Sequence, residues 1–571
     1  MRFNLRKQLL VLVFLLSFLT VLNAENKSST LLKQVAEEYW QHELQESLYL
    51  RIKFGLPITD LPEPTLEDAK REAAFCKNIL EKLQLVDPKE IDHEVFLSLE
   101  ILKWECSQVV DLLPYFKFSS PITPYASSLS TIHQAFATFP LGTDEDATQY
   151  VALLKKLAVY VQQLQTTIEW QAKEGILIPK DELDIVTPFL TNFGKEGEQS
   201  PFYSKQVKKE SLIKEMTRVI DTEVHPAFQK LIHYLKTDYQ KQTPRTLAEK
   251  KDYYSALVRY HTTMDVTPEQ VHETGLEAVR KLQERMKSVR DSLKFEGTQE
   301  EFHKKLKSDP KFIPKTPEEI GEKLLQYDRR IQPKIPEYFS LKPKAPHTVA
   351  RLDPKLEGSM TFGYYQVPTK MDPKGTYYYN GSNLSERPMF NSGSLVYHEL
   401  VPGHHFQLNL QSENESLPAF RREGGHTAFV EGWAEYSSGL AEEMGMYQDP
   451  YELYGRLTAE MFLTVRLVVD TGMNYFDWPR EKAMQFMRAN LLESATQIHT
   501  ESLRYCCDIP GQALGYKMGS FKIRALREKT KQGLQDKYNV RKFHAAVLGS
   551  GSMPMTVLEK HIEWVIASAE K

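Results

Sequence analysis

Cysteine is scarce in this sequence, with four residues among 571. Four cysteines are too few for a disulfide framework, although Cys76 and Cys106 could pair in an oxidising compartment. Cys506 and Cys507 are adjacent, which is a poor geometry for an ordinary disulfide. They could in principle bind a metal, but no other cysteine stands at the spacing of a zinc finger or zinc ribbon. We therefore expect buried thiols here and no cysteine-based metal site.

A strong charge bias is also missing, because 72 lysines and arginines nearly balance 76 aspartates and glutamates and leave a net charge of −4. This balance gives no sign of nucleic-acid binding. The length exceeds the usual limit of a single hydrophobic core, so packed lobes are expected. We place a soft boundary near the Thr243-Pro244 step, with an N-terminal helical lobe at residues 25–245 and a catalytic lobe at residues 246–571.

Long apolar runs are confined to the N-terminus, where basic residues precede a largely apolar stretch from Leu9 to Leu22. This pattern is typical of a secretory signal peptide, and Ala24 is a suitable residue before the cleavage point. We predict a signal peptide at residues 1–24 and an exported protein, periplasmic or secreted. No later stretch is long enough to span a bilayer, so no membrane contact is expected after cleavage. An uncleaved N-terminal anchor is the alternative.

Helical periodicity dominates the rest of the sequence. In residues 151–168, apolar side chains recur at steps of three and four, which predicts one buried helix face. Thr267, followed by Pro268, begins a second long pattern that runs towards Leu293, and Pro554 opens a last one. The predicted fold class is therefore mainly α.

Residues 345–390 are the exception, because proline, glycine and aromatic residues cluster there and the helical period is lost. Thr376 to Tyr379, which precede the turn-forming pair Asn380-Gly381, have the pattern of a short strand. We predict a small β-sheet at this point, next to the helix that carries the following motif.

His398 and Glu399 are the residue types that a hydrolytic zinc site requires, and a further histidine follows at position 404. Neutral imidazoles bind zinc, and an adjacent carboxylate can take a proton from water. The second histidine usually follows four residues after the first, whereas His404 follows after six. Six residues advance a regular helix by about 9 Å and rotate it by roughly 240°, so a regular helix would point the two imidazoles to different sides.

Pro402 and Gly403 lie within this interval, and both are residues that break or bulge a helix. We predict that such a break returns His404 to the metal that His398 binds. His405 is the second choice, because it shares the rotational face of His398 but lies about two turns away in a straight helix.

Glu431 lies in an apolar and aromatic helical segment, residues 428–436. Carboxylates rarely enter such a face without a partner, which makes Glu431 a good third zinc ligand and leaves a fourth position for water. Glu435, one turn further along the same face, could accept a proton from a ligating imidazole. The alternative is that both glutamates pair with arginines, for which Arg421 and Arg422 are available.

The segment from His398 to Gln407 resembles the HExxPGHHxQ signature of a bacterial family that is catalogued as a domain of unknown function and regarded as zinc metallopeptidases. The likeness covers most of residues 245–565. A more distant similarity is to the gluzincin peptidases, including the angiotensin-converting enzyme and thimet oligopeptidase groups. In gluzincins, two histidines and a downstream glutamate hold the zinc, and an acidic residue four positions later supports a histidine. The resemblance implies a two-lobed helical protein with a deep cleft.

Tyrosine hydroxyls could donate a hydrogen bond to the tetrahedral oxyanion, and Tyr505 and Tyr516 are the candidates. The Arg504-Tyr505 pair is similar to an arginine-tyrosine pair of the converting-enzyme group, which favours Tyr505. Substrate contacts are expected from Arg504, which could bind a carboxylate, from His405, and from the strand that ends at Tyr379, which could pair with substrate backbone. The alternatives are half-buried helical tyrosines, a structural ion pair and an ordinary sheet.

The predicted function is zinc-dependent hydrolysis of peptide bonds in short peptides, by exopeptidase or oligopeptidase action, with Zn²⁺ as cofactor and Glu399 as general base. One alternative is a metal-dependent amidohydrolase that acts on a modified amino acid or a cell-wall peptide. The other is a peptide-binding protein without turnover, against which Glu399 argues because binding alone needs no general base. The sequence does not indicate an oligomeric state.

Overall fold

A computed structural model describes residues 26–570, except for 121, 124–126, 246, 355–356, 358–362 and 370–371. The predicted signal peptide at residues 1–24 lies outside the described residues. Most of the described chain is helical, and three short strands form one sheet. Within the described ranges, no helix combines the length and the apolar character that crossing a membrane would require.

The helices before the sheet are numbered α1 to α14. Their bounds are α1 Lys27–Glu46, α2 Leu48–Phe54, α3 Leu66–Leu83, α4 His93–Leu112, α5 Leu129–Ala137, α6 Asp144–Lys173, α7 Lys180–Phe193, α8 Glu210–Val219, α9 His225–Lys236, α10 Glu249–Thr262, α11 Pro268–Ser292, α12 Gln299–Ser308, α13 Pro317–Ile331 and α14 Ile335–Tyr338.

The helices after the sheet are numbered α15 to α24. Their bounds are α15 Ser392–Glu399, α16 His404–Ser412, α17 Ala419–Glu423, α18 Thr427–Glu443, α19 Pro450–Asn474, α20 Arg480–Asn490, α21 Ala495–Leu503, α22 Leu514–Leu534, α23 Val540–Gly549 and α24 Met555–Glu570. A π-helical turn, Arg504–Asp508, follows α21 directly.

The three helices that the sequence predicts are confirmed. Residues 151–168 lie within α6, and the last helix begins one residue after Pro554. At the start of α11, the Thr267 side chain accepts from the backbone N–H of Gln270, whose own side chain accepts from the N–H of Thr267. This reciprocal cap satisfies backbone donors that lack an intrahelical partner, and Pro268 in the first turn has no donor to leave unsatisfied.

The predicted small sheet is also confirmed, and its central strand is the one that the sequence indicates. The strands are β1 His347–Arg351, β2 Gly363–Gln366 and β3 Gly375–Tyr379. β3 lies in the middle, parallel to β1 and antiparallel to β2. Both edges of β3 are therefore occupied by neighbouring strands.

Four buried hydrophobic clusters of the described residues hold the helices together, and the smallest surrounds Val258, Val271 and Leu467. The largest joins the first helices to the C-terminal half of the chain through fully buried residues such as Leu99, Trp433 and Leu558. A second cluster is built mainly from α5 to α9, and a third mainly from α11, α12 and α19 to α21. The boundary near residue 245 stays a prediction. The helices before α5 contribute to the largest cluster, which also contains residues of the C-terminal half of the chain.

All four cysteines are free thiols. Cys76 and Cys106, the pair that could form a disulfide in an oxidising compartment, are buried and hydrogen-bonded to each other. Cys506 and Cys507 lie on the π-helical turn and are partly buried.

Candidate metal centre and active site

The helix break that Pro402 and Gly403 predict is confirmed. α15 ends at Glu399 and α16 begins at His404, and the backbone between them leaves the helical region at Leu400 (φ −109°, ψ −100°). At Gly403 an added Cβ would lie 1.8 Å from the carbonyl oxygen of His398, so that only glycine fits this close approach. The two histidines therefore lie on two short helices.

The connection between α15 and α16 is anchored to α18. The carbonyl oxygen of Pro402 accepts a hydrogen bond from Trp433 Nε1 at 2.8 Å and a second from Ser437 Oγ at 3.2 Å. Trp433 and Ser437 are four residues apart and so share one helix face. Because the same helix carries Glu431, these bonds hold the histidine segment and Glu431 in a common frame.

The break brings His398, His404 and Glu431 together. Glu431 Oε2 lies 3.6 Å from His398 Nε2 and 3.3 Å from His404 Nε2. The imidazole rings are nearly perpendicular, with centroids 4.8 Å apart, and one donor atom from each residue lies within 4.8 Å of the others. Glu431 Oε2 is buried and has no hydrogen-bond partner among the residues that the structure describes.

This donor set fits a zinc ion. Two imidazole nitrogens and one carboxylate oxygen are a common catalytic set, and they leave further positions for water and substrate. A buried carboxylate oxygen without a hydrogen bond is costly unless a cation balances it. His398, His404 and Glu431 are thus the residues that would hold the ion, and His404 would be the second histidine ligand, which usually follows four residues after the first.

The electrostatics of the cluster suit a metal-site carboxylate beside a general base. Burial acts to raise the pKa of Glu431, but His404 and His398 outweigh it and lower that pKa well below the usual range. Burial raises the pKa of Glu399, and Glu431 adds to this effect while the two histidines oppose it. A carboxylate with a raised pKa accepts a proton more readily near neutral pH.

A close helix crossing places a tyrosine beside the cluster. At Gly432 an added Cβ would lie 2.6 Å from the Cα of Gly519, so that α18 and α22 approach within a distance that larger residues would prevent. Tyr516, on α22, stacks on His398 with a centroid distance of 6.4 Å and an angle of 10° between the rings. Tyr516 is therefore the predicted oxyanion donor that the structure brings to the cluster.

Tyr505, which the family resemblance favours as the oxyanion donor, has a different environment. It is buried, accepts a hydrogen bond from Arg466 Nε at 2.8 Å and donates to Glu501. Arg504 donates to Gln512 at 2.8 Å and also bonds Glu501. Both predicted residues thus take part in a network of buried polar groups, and Arg504 also hydrogen-bonds Tyr516. The contact of Tyr505 with the oxyanion and that of Arg504 with substrate stay predictions.

The sequence reasoning did not single out Arg466. Its guanidinium lies 4.8 Å from the centre of the Tyr516 ring and 5.7 Å from that of Tyr505, so that it contacts both candidate tyrosines. It is also the single charged residue in the apolar segment 461–469 of α19. A buried arginine in such a segment signals a partner, but the sequence does not show which one.

Glu435 differs from its predicted role. It contacts Arg456 Nη2 at 2.8 Å and Lys517 Nζ at 3.0 Å, and the side chains of all three residues are 1% exposed. Glu435 therefore belongs to a buried ion network and does not orient a ligating imidazole. The alternative prediction, that Glu435 pairs with an arginine, is confirmed. The arginine is Arg456, whereas the predicted Arg421 bonds Glu94 at 2.7 Å.

His405 faces away from the metal cluster. Its Nδ1 hydrogen-bonds the Tyr365 hydroxyl at 2.8 Å, and its Nε2 donates to the carbonyl oxygen of Ala345 at 3.1 Å. Both ring nitrogens are thus engaged, and the side chain is buried. His405 links α16 to the sheet and is not part of the cluster, which corrects the expectation that it is the alternative second ligand. Its contact with substrate stays a prediction.

Tyr379 is also placed away from the cluster. It ends the central strand β3, so its backbone already pairs with β1 and β2 and has no free edge for a peptide. Its ring packs against Gly321 of α13, where an added Cβ would lie 2.8 Å from the Tyr379 hydroxyl. A different residue of β3, Tyr377, lies near Glu399. Burial raises the pKa of Tyr377, and the nearby Glu399 raises it further.

The sequence profile described as "Bacterial protein of unknown function (DUF885)" matches residues 50–562 of the chain. The chain belongs to the DUF885 family. A search of the curated proteins found no match to this DUF885 chain.

Two solved structures share the fold of this DUF885 chain. A "putative lipoprotein" from Colwellia psychrerythraea is 25% identical, with a TM-score of 0.83 over 95% of this chain and 99% of its own. The second structure is a "putative lipoprotein of unknown function" from Shewanella oneidensis. It is 17% identical, with a TM-score of 0.74 over 93% of this chain and 99% of its own. The mainly helical fold with its small sheet is thus shared along nearly the whole chain.

Proposed function

We propose that this DUF885 protein is an exported zinc-dependent peptidase that hydrolyses peptide bonds in short peptides. The observation that carries the proposal is the convergence of His398, His404 and Glu431 from three helices on one point, with Glu399 beside it. Zinc affinity alone would need only the three donors. The neighbouring glutamate supports catalysis, because binding alone needs no general base.

A zinc ion bound by these residues would polarise the scissile carbonyl and make water more acidic. Glu399 then accepts the proton of the attacking water and later gives it to the leaving amine. Tyr516, which stacks on His398, donates a hydrogen bond to the oxyanion as it forms. Arg466 lies over this tyrosine ring, with its guanidinium 4.8 Å from the ring centre.

The similar structures support the proposed location, and the proposed substrate class rests on a proposed cleft. The lipoprotein description of both similar structures agrees with the signal-peptide pattern of residues 1–24, and we propose that the chain is exported to the periplasm or secreted. We also propose that the separate core of α5 to α9 forms one wall of a cleft over the cluster. Such a cleft would admit short peptides in preference to folded proteins.

The test uses the purified mature chain, its zinc content measured by mass spectrometry, and a mixed library of short peptides with free and blocked termini. We expect cleavage by the wild type and at least about a hundredfold slower cleavage by Glu399→Gln, with zinc retained. Glu415→Gln is the matched control, because Glu415 is exposed after α16 and should behave as the wild type.

The outcomes separate the candidate functions. Cleavage that requires a free terminus would identify an exopeptidase, and cleavage of blocked peptides an oligopeptidase. Equal absence of products from the wild type and Glu399→Gln, with zinc bound in both, would sink the peptidase proposal. Hydrolysis restricted to amides of modified amino acids would point to an amidohydrolase, and peptide binding without products to a binding protein.

A further inference from the structure

A second group of metal-binding residue types lies where α7 meets the π-helical turn Arg504–Asp508. Glu182 belongs to the first turn of α7, and Cys507 and Asp508 end the π-helical turn. One donor atom from each residue lies within 4.8 Å of the others, and Cys507 Sγ is 3.8 Å from Glu182 Oε2. Glu182 comes from the N-terminal helices, whereas Cys507 and Asp508 come from the C-terminal half of the chain. None of the three belongs to the His398 cluster.

Both carboxyl groups are buried with an oxygen left unsatisfied. Glu182 is 1% exposed and Asp508 is 6% exposed. Within the described part of the chain, Glu182 Oε1 and Asp508 Oδ1 have no hydrogen-bond partner. The two carboxyl groups are near enough to hydrogen-bond each other through a shared proton. Two buried acids this close are costly in a folded protein unless a proton or a cation lies between them.

Arg480 and Arg504 are the cations that act on this pair of acids. Both have partners outside the pair, because Arg480 Nη1 donates to Asp181 at 2.7 Å and Arg504 bonds Glu501 and Gln512. Thr123 donates a hydrogen bond to Asp508, which is a neutral partner. The geometry therefore leaves a place for a cation from solution.

We propose that Glu182, Cys507 and Asp508 bind a divalent ion of the zinc class at a site separate from the catalytic cluster. The thiolate selects zinc and similar borderline ions over magnesium or calcium, which prefer oxygen donors alone. On binding, Cys507 releases its proton to solvent, as does a carboxyl group that carries one, and water completes the coordination. The sequence predicted no metal site at the adjacent Cys506 and Cys507, because no other cysteine stands at a suitable spacing. In the structure, the other two possible ligands beside Cys507 are carboxylates.

The ion would connect the N-terminal helices to the surroundings of the candidate active site. The π-helical turn that ends in Cys507 and Asp508 begins with Arg504, which bonds Gln512 and contacts Tyr516. Because α7 belongs to the separate hydrophobic core of α5 to α9, an ion at this point would join that core to the catalytic helices. A ligand that binds only the folded state stabilises it.

The test uses cobalt(II) as the probe, with the full mature chain carrying His404→Asn so that the catalytic cluster is disabled. Under reducing conditions, cobalt bound to a thiolate gives a charge-transfer absorption that carboxylate or imidazole ligands do not give. We expect this absorption in the His404→Asn chain, its loss on adding Cys507→Ser, and its persistence on adding Cys506→Ser. Cys506 is the matched control, because it is the neighbouring thiol outside the cluster.

Thermal unfolding gives an independent readout. Cobalt should raise the Tm of the chain with Cys506→Ser and leave the Tm of the chain with Cys507→Ser unchanged. If Cys507→Ser does not fold, Glu182→Gln and Asp508→Asn replace it, and each should weaken or abolish cobalt binding. No thiolate absorption in the His404→Asn chain, or absorption that survives these changes, would overturn the proposal and leave an acid pair that shares a proton. Neither result bears on the peptidase proposal, because the catalytic cluster is disabled throughout.

Discussion

Glu431 and Glu435 lie one turn apart on α18, and both are acids in an apolar helix, yet their environments differ. Glu431 faces two imidazoles, and its Oε2 has no hydrogen-bond partner among the described residues. Glu435 faces two permanent cations, Arg456 at 2.8 Å and Lys517 at 3.0 Å. The same feature of the sequence therefore has two outcomes in the structure.

The difference shows that a buried carboxylate is understood only through its partners. The protein itself supplies the positive charge that Glu435 needs, so this residue stabilises the fold. At Glu431 the partners are imidazoles, which can offer lone pairs to the same ion as the carboxylate. One turn of helix thus separates a structural ion network from a candidate metal site.

The largest expected effects come from changing each glutamate to glutamine. We expect Glu431→Gln to abolish zinc binding and peptide hydrolysis while the protein remains folded, because a neutral amide is a poor zinc ligand. We expect Glu435→Gln to lower the free energy of unfolding by about 3–5 kcal/mol, because Arg456 and Lys517 lose a buried partner. Zinc content and denaturant unfolding measure the two effects. Similar losses of stability in both variants would break the comparison.

The same contrast applies to the two candidate tyrosines. We expect Tyr516→Phe to slow peptide hydrolysis by about a hundredfold with zinc retained, because the oxyanion loses a donor. We expect Tyr505→Phe to lower the free energy of unfolding by about 1–3 kcal/mol, because Glu501 and Arg466 lose a buried hydrogen-bond partner. Steady-state rates and denaturant unfolding of both variants provide the measurement. A larger rate loss for Tyr505→Phe would restore the assignment that the family resemblance favours.

A smaller effect is expected at the helix break. Gly403→Ala would place a Cβ 1.8 Å from the His398 carbonyl oxygen, and we expect it to lower the free energy of unfolding by about 1–3 kcal/mol and to weaken zinc binding. Gly425→Ala is the control, because there the nearest side-chain atom, of Val430, would be 3.8 Å from the added Cβ. Unfolding curves and zinc titration are compared, and equal behaviour of the two variants would contradict a required break.

The smallest expected effect is a pH dependence of stability. Burial acts to raise the pKa of Glu435, but Arg456 and Lys517 outweigh it and lower that pKa. The resulting stabilisation is fully present above the unfolded-state pKa of about 4.3 and is lost as the pH falls from there through the folded-state pKa. Denaturant unfolding from neutral to acidic pH should show a steeper loss for the wild type than for Glu435→Gln. Parallel curves would mean that Lys517 and Arg456 do not hold the charge of Glu435.

Much of the local structure could be predicted because its signals lie within a few residues. The start of α11 depends on the reciprocal cap between Thr267 and Gln270, and the break before His404 depends on Gly403. Residues 376–379 predicted the strand β3 in the same way. They did not predict that this strand lies in the middle of the sheet. The environment of Tyr505 could not be predicted from its neighbours, because Arg466 reaches it from another helix.

The residue types of the candidate site, the helix break between its two histidines and the mainly helical character of the chain can all be read from the amino-acid sequence. These depend on backbone geometry and on capping, which act over a turn or two of helix. The tertiary structure alone decided the partners of the buried charges, since Lys517 lies 82 positions from Glu435 and Cys507 lies 325 positions from Glu182. A buried charge is balanced by whichever side chain the packing brings within reach, and that choice has no local signal.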